Sequence, residues 1–183
     1  MALNPANARI YGSDNDRIYL APIGTTLPLT IDAAPGSTFE DVGWLHSDGI
    51  TETPTGSKSV IRGHQGQKVV RTRMEEPGTT VGFHALETKA QTQALRYYEK
   101  EATTTAGVRK ATRSAGQRVS ARAAVIDLFD ADNLTVKERW IIPRLEITPD
   151  GERVFAGTDI AGFPFLGEII GDYEHFSTEL PAE

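Results

Sequence analysis

Hydrophobic positions in this chain recur at every second residue in short runs, and only one stretch departs from that period. Gln67, Val69, Arg71 and Arg73 alternate with Lys68, Val70, Thr72 and Met74, which places the two sets on opposite faces of a strand. Glu76-Pro77-Gly78 reads as a turn, because proline presets one turn dihedral and glycine supplies a positive φ. Residues 79–86 are therefore predicted to return antiparallel. A helix over 88–101 follows. Thr88 and Gln91 have capping-box spacing, and the window after them is rich in helix formers. Leu86, Ala90, Ala94 and Tyr97 or Tyr98 then share one face, the stripe of a helix that covers a sheet.

The remaining patterns are short strands and connections. Residues 1–16 carry Pro5 and Gly12 without periodicity and read as an arm that orders only against a partner. Strands are predicted at 17–21, 42–46 and 49–52, with an irregular connection at 22–35 and a polar loop at 53–66. Residues 102–120 show no apolar period. A segment that long without structure is functional or disordered. The clearest hairpin of the second half joins 122–129 to 134–142 through Asp130-Ala131-Asp132-Asn133, with Leu134, Val136, Trp140 and Ile142 on one face. Pro143 ends or bends that strand, since it has no N–H for a ladder. Strands at 145–148, 153–156 and 161–170 precede an acidic tail at 171–183. About nine strands and one helix predict a mainly β protein, with a single core over 17–170, a flanking α-helix and extended arms and loops.

Charge sharpens this picture more than composition does. The chain has 183 residues, a net charge of −6 and no cysteine, so disulfide frameworks and thiol chemistry are excluded. No apolar run approaches the ~18 residues needed to span a bilayer, and the first residues lack a basic segment followed by an apolar one, so a soluble, non-secreted protein is expected. Residues 58–73 hold five bases and no acid, and residues 109–122 again hold five and no acid; the last 34 residues hold eight acids against one base. Separate basic and acidic segments suit head-to-tail pairing between copies. Lys58, Arg62, Arg109, Lys110, Arg113 and Arg118 on one side, and Glu168, Glu174 and Glu179 on the other, are the candidate contacts between subunits.

The order of these pieces carries a resemblance. Phe39-Glu40-Asp41-Val42-Gly43 leads into Asp48-Gly49-Ile50-Thr51; a loop follows, then Gln65-Gly66, Val69-Val70-Arg71-Thr72 and Leu86-Glu87-Thr88 at the entry to a helix. From Ile18 to about Phe165 this resembles the major tail, or tail tube, proteins of long-tailed, siphovirus-type bacteriophages. The resemblance implies two packed antiparallel sheets in a sandwich or barrel with one helix at its side, and strands from six subunits closing an inner barrel. It implies a virion protein assembled in the host cytoplasm: stacked hexameric rings around a tape-measure protein, bounded by tail terminator and tail tip proteins. DNA then passes through the lumen during ejection without specific binding, and no membrane is involved.

Chemistry-bearing patterns do not add up to a site. His46, His64, His84 and His175 lack zinc spacing, and His84 reads as a packed sheet residue. The stretch from Gly63 to Lys68 lacks the Gly-Lys-Ser/Thr ending of a phosphate loop. Asp130 to Asn133 lack the glycine and glutamate of a calcium loop. The expectation is a structural protein, not an enzyme, with no cofactor or metal. Two alternatives stay open: another tail or head-tail completion protein, such as a terminator or connector, and a nucleic-acid-binding module using residues 109–122. Against the latter, that segment has no aromatic residue for stacking bases.

Overall fold

The computed structural model describes residues 8–179. It is mainly β. The strands are β1 (Arg17–Ala21), β2 (Glu40–Asp41), β3 (Leu45–Arg62), β4 (Val69–Ala85), β5 (Glu99–Thr105), β6 (Val108–Arg113), β7 (Ser120–Phe129), β8 (Lys137–Pro149), β9 (Phe163–Ile169) and β10 (Glu174–Ser177), with one helix, α1 (Ala90–Arg96). Two antiparallel sheets result. The large one runs β2-β1-β7-β8-β9-β4-β3, with β10 added to β8, and the small one is β5 with β6.

The large sheet bends around one core. Ile18, Leu20, Val81, Phe83, Ala85, Ala124, Ile126, Trp140, Ile142, Leu145, Ile147, Phe163 and Phe165 form a single buried cluster, so alternate residues of β1, β7 and β8 meet those of β4 and β9. The bend sits at Pro143. Ala124 pairs with Ile142 and Arg122 with Leu145, leaving an extra residue on β8, and the missing proline donor falls in that bulge. Pro143 thus bends the strand instead of ending it. β8 pairs with β10 before the bulge and with β9 after it.

β7 is buried on both faces, which explains its continuous apolar run. Ala123 and Val125 join Ala21 and Phe39 in a second cluster. Beside it the connection between β1 and β2 is tied down by Arg139. Its guanidinium donates to both carboxylate oxygens of Asp127, at 2.5 and 2.6 Å, and to the carbonyls of Thr30 and Ala33. Such a pair is satisfied only as a whole, because either partner alone is a buried charge.

Four of the longer segments differ from what the sequence predicts. First, Glu76-Pro77-Gly78 does not reverse the chain. Gly78 pairs with Thr55 and Glu75 with Ser57, so Glu76 and Pro77 together oppose Gly56, with Glu76 at φ 50° and Gly56 at φ 132°. The turn signal marks a bulge, where a proline again loses no ladder bond. The reversal comes earlier, at 63–68, where the Gly63 N–H donates to the Lys68 carbonyl; residues 53–62, expected as loop, are strand.

Second, the helix covers 90–96, not 88–101. Thr88 does not cap it; the Lys89 N–H donates to the Thr92 hydroxyl at 2.9 Å. Its buried residues are Thr92 and Leu95, not the stripe through Ala90 and Ala94. The helix formers give way at Tyr97 and Tyr98, and Thr103, Thr104 and Thr105 favour the extended chain. Third, residues 102–120 are not structureless, since β5 and β6 form a hairpin whose two turn residues, Ala106 and Gly107, both have positive φ, the requirement of a twist-matched turn.

Fourth, residues 8–16 are bound within the chain, where the sequence suggested an arm ordered only by a partner. Ile10 donates to Asp130, its carbonyl accepts from Ala131, Tyr11 donates to Glu138, and Asp16 accepts from Phe129. Residues 1–7 lie outside the described residues, as do 180–183 of the acidic tail; within that tail, 174–177 form β10. Residues 153–156 form no strand, and Leu134 lies exposed in the loop before β8.

Removing half of the Arg139 pair should be costlier than removing both. Asp127→Ala is expected to lower unfolding stability by about 3–5 kcal/mol in urea melts. The double variant Asp127→Ala with Arg139→Met should recover part of that loss.

Candidate assembly surfaces

Two hairpins leave the core, and both follow from local sequence. β3 and β4 pair from end to end apart from a wide bulge at 46–49, but β9 supports β4 only from Thr80 to Ala85. Residues 54–79 therefore form a two-stranded ribbon beyond the body, ~30 Å long at ~3.4 Å per residue. Neither face is covered by the described residues: Val60, Ile61, Val69, Val70 and Met74 are all exposed, Val70 to 71%. Antiparallel partners share a face, so Lys58 lies beside Met74 and Val60 beside Thr72 on one side, and Ile61 beside Arg71 on the other. A lone two-stranded ribbon is at best marginally stable in water. β3 is also the terminal strand of the large sheet, leaving one row of backbone groups unpaired.

The second hairpin, β5–β6, is fastened back onto the body. Glu99 accepts from Arg109 at 2.9 and 2.6 Å and from Arg113 at 3.3 Å, and Arg113 also donates to Gln93 of the helix. The Arg113 guanidinium lies 3.7 Å over the Tyr97 ring, and that of Arg118 lies 5.1 Å over Tyr98. The aromatic partners of this basic segment thus come from just after the helix. Arg109 holds the Glu99 carboxyl below the usual carboxylate range, with Arg113 adding to the effect.

The sequence-named contact candidates do not gather in one place. Lys58 and Arg62 sit on the β3–β4 ribbon, and Arg109, Lys110 and Arg113 on β6. Arg118 lies in the connection to β7. Glu168 is exposed on β9, opposite Thr80 on one side and Glu146 on the other. Glu174 is exposed on β10, and Glu179 is exposed near the end of the described residues. Alternation alone cannot tell a half-buried strand from one in a free ribbon, so the apolar positions Val69, Val70 and Met74 were not legible as contact candidates. Trp44, 68% exposed just before β3, carried no signal either.

Titratable groups in the body are tied into packing. His84 stacks on His46 with ring centroids 5.0 Å apart, and burial lowers its pKa. Asp130 accepts from the N–H groups of Asp132 and Asn133, shaping the loop expected at that place. Among the described residues no cluster of three or more His, Cys, Asp or Glu is arranged to hold a metal, and no helix is long and apolar enough to cross a membrane.

An open β sheet bent around its core, with one ribbon projecting from it and a second pinned back by an internal charge cluster, has the anatomy of an assembly subunit. A family model described as phage tail tube protein matches residues 1–172. The chain belongs to that family and is a structural component of the phage tail. A search of curated proteins returns no match.

The Glu99 hub gives the β5–β6 ribbon a pH dependence of known sign. A carboxylate depressed in the folded state stabilises above its unfolded value of ~4.3 and loses that contribution as pH falls through the folded value. Amide exchange of 99–113, corrected for intrinsic rates, should be level from pH 7 to 5 and accelerate below about pH 4. Glu99→Gln should raise it about tenfold at pH 7, for a loss of ~1.5 kcal/mol, and flatten the pH response.

Proposed function

We propose that this protein is the repeating subunit of a tail tube in which hexameric rings stack into a conduit for DNA ejection. The observation that supports this reading most is the β3–β4 ribbon. Its two faces carry exposed aliphatic residues, and its outer edge is unpaired. A chain that builds such an element stabilises it by pairing or packing against a neighbour, and in a homomeric ring every copy supplies and receives the same contact.

In this reading Lys58 meets the acidic surfaces of neighbouring copies, represented by Glu168, Glu174 and Glu179, Arg62 at the ribbon tip meets a further acidic surface of a neighbour, and Arg109, Lys110, Arg113 and Arg118 line the second ribbon where subunits approach. Single exposed pairs contribute only ~0–1 kcal/mol each, but ring symmetry repeats them. A tape-measure protein occupies the growing lumen, and terminator and tip proteins close the ends. DNA slides through without being held, because a conduit lined by unpaired Lys and Arg would bind phosphates by counterion release. The internal pairing of Arg109 and Arg113 with Glu99 supports the conduit over a nucleic-acid-binding module.

The reading is tested by shortening the ribbon. Replacing residues 56–76 with a two-residue Asn-Gly turn removes no residue of the buried core, so the variant should keep a cooperative melt. Wild type is expected to form rings or tubes in electron micrographs, and the shortened variant to remain small in sedimentation. Wild-type protein that stays monomeric at millimolar concentration would overturn the reading.

A further inference from the structure

We infer that the cleft between residues 11–17 and the start of β3 is a receptor site for a cationic, aliphatic β-turn, occupied by the tip of the β3–β4 ribbon of a second copy of this chain. The inference rests on the tail tube reading and adds where the ribbon docks. The cleft encloses about 540 Å³, bounded by residues 11–17, residues 43–50 and Leu128. Leu45, Ile50 and Leu128, which pack against the core, give it an apolar side. Trp44 lines it too, with most of its large indole uncovered.

The charge at the cleft is acidic. Asp14, Asp16 and Asp48 line it. Asp16 is engaged by the N–H groups of Gly12 and Phe129, and Asp48 shares a contact with His46. Asp14 is exposed. The one arginine of the lining, Arg17, is paired with Asp41 at 3.2 Å. An exposed indole beside carboxylates suits a guanidinium, which stacks on the ring while its edge donates to the acid.

The ribbon tip has the complementary character. Residues 62–73 bring Arg62, Lys68, Arg71 and Arg73 with no acid, together with the exposed Val69 and Val70. Arg62 closes the turn by donating to the Gln67 carbonyl, which leaves a preformed loop to enter a cleft at little ordering cost.

Topology makes the match consequential. The cleft lies at the root of the ribbon and the basic turn at its far end, about a dozen residues away, or roughly 40 Å at ~3.4 Å per residue. A contact that joins the tip of one copy to the root of the next is heterologous and leaves a free tip and a free cleft at the two ends, so it repeats along an axis. The β3–β4 ribbon then sets the spacing between successive layers.

The absence of cysteine from the chain permits a direct test. Ser47→Cys places a thiol in the cleft and Gln65→Cys one at the tip, both at exposed positions, and within one chain the two are too far apart for a short bismaleimide to bridge. The double variant, assembled and treated with the bismaleimide, should give a ladder of covalent multimers on a denaturing gel, and neither single variant should. Trp44→Ala should keep rings but lose at least tenfold in tube yield. Dimers from Gln65→Cys alone would mean tip-to-tip contact and overturn the inference. Tubes without a ladder, or undiminished tubes from Trp44→Ala, would also overturn it and leave the tail tube reading standing, with the tip docking elsewhere or on another tail protein. Wild-type protein that forms neither rings nor tubes would overturn both.

Discussion

The structure depends on one strand doing two jobs. β4 is part of the core from Thr80 to Ala85, where β3 and β9 flank it and Val81, Phe83 and Ala85 are buried. From Val69 to Thr79 the same strand has a single partner and no cover among the described residues. Burial of a few large apolar residues, at ~1.5–3 kcal/mol each, anchors the inner half firmly enough to carry an outer half that does not stabilise itself. The bulge of Glu76 and Pro77 against Gly56 lies just outside the last residues that β9 supports. There the ladder is interrupted where interruption does least harm to the core.

Polar groups divide along the same line. Inside, charges are committed: Arg139 to Asp127 and the connection above it, Glu138 to Arg9, Tyr11 and His175, and Glu99 to Arg109 and Arg113. Outside, the bases of the β3–β4 ribbon face solvent beside aliphatic neighbours. The two basic segments of the sequence, alike in composition, therefore differ in physical role. One is a staple that holds a hairpin on the helix. The other is a free surface, which the proposed assembly pairs with another chain.

This division explains what the sequence made legible. The mainly β class, the hairpin at Asp130 to Asn133 and the bend at Pro143 rest on local rules that the fold obeys. Glu76-Pro77-Gly78 was misread because proline and glycine mark an interruption of the ladder whether the chain reverses or bulges, and only pairing across the sheet decides which. The β5–β6 hairpin escaped because its turn, Ala106-Gly107, places an alanine where an asparagine would have been recognisable. β10 escaped because its partner, β8, lies more than thirty residues earlier. As for the candidate surfaces, the clustering of bases was visible, but the pairing of Arg109 and Arg113 with Glu99 was not, since it depends on where the helix ends.

The proposed assembly has the β3–β4 ribbon stabilised by a neighbouring copy and not by its own chain. Hydrogen exchange of residues 56–76, compared between isolated subunits and assembled protein, tests this most directly. Little protection is expected in the isolated subunit, against strong protection of β7 and β8, and a gain of at least a hundredfold on assembly. Equal protection of the ribbon in both states would contradict it.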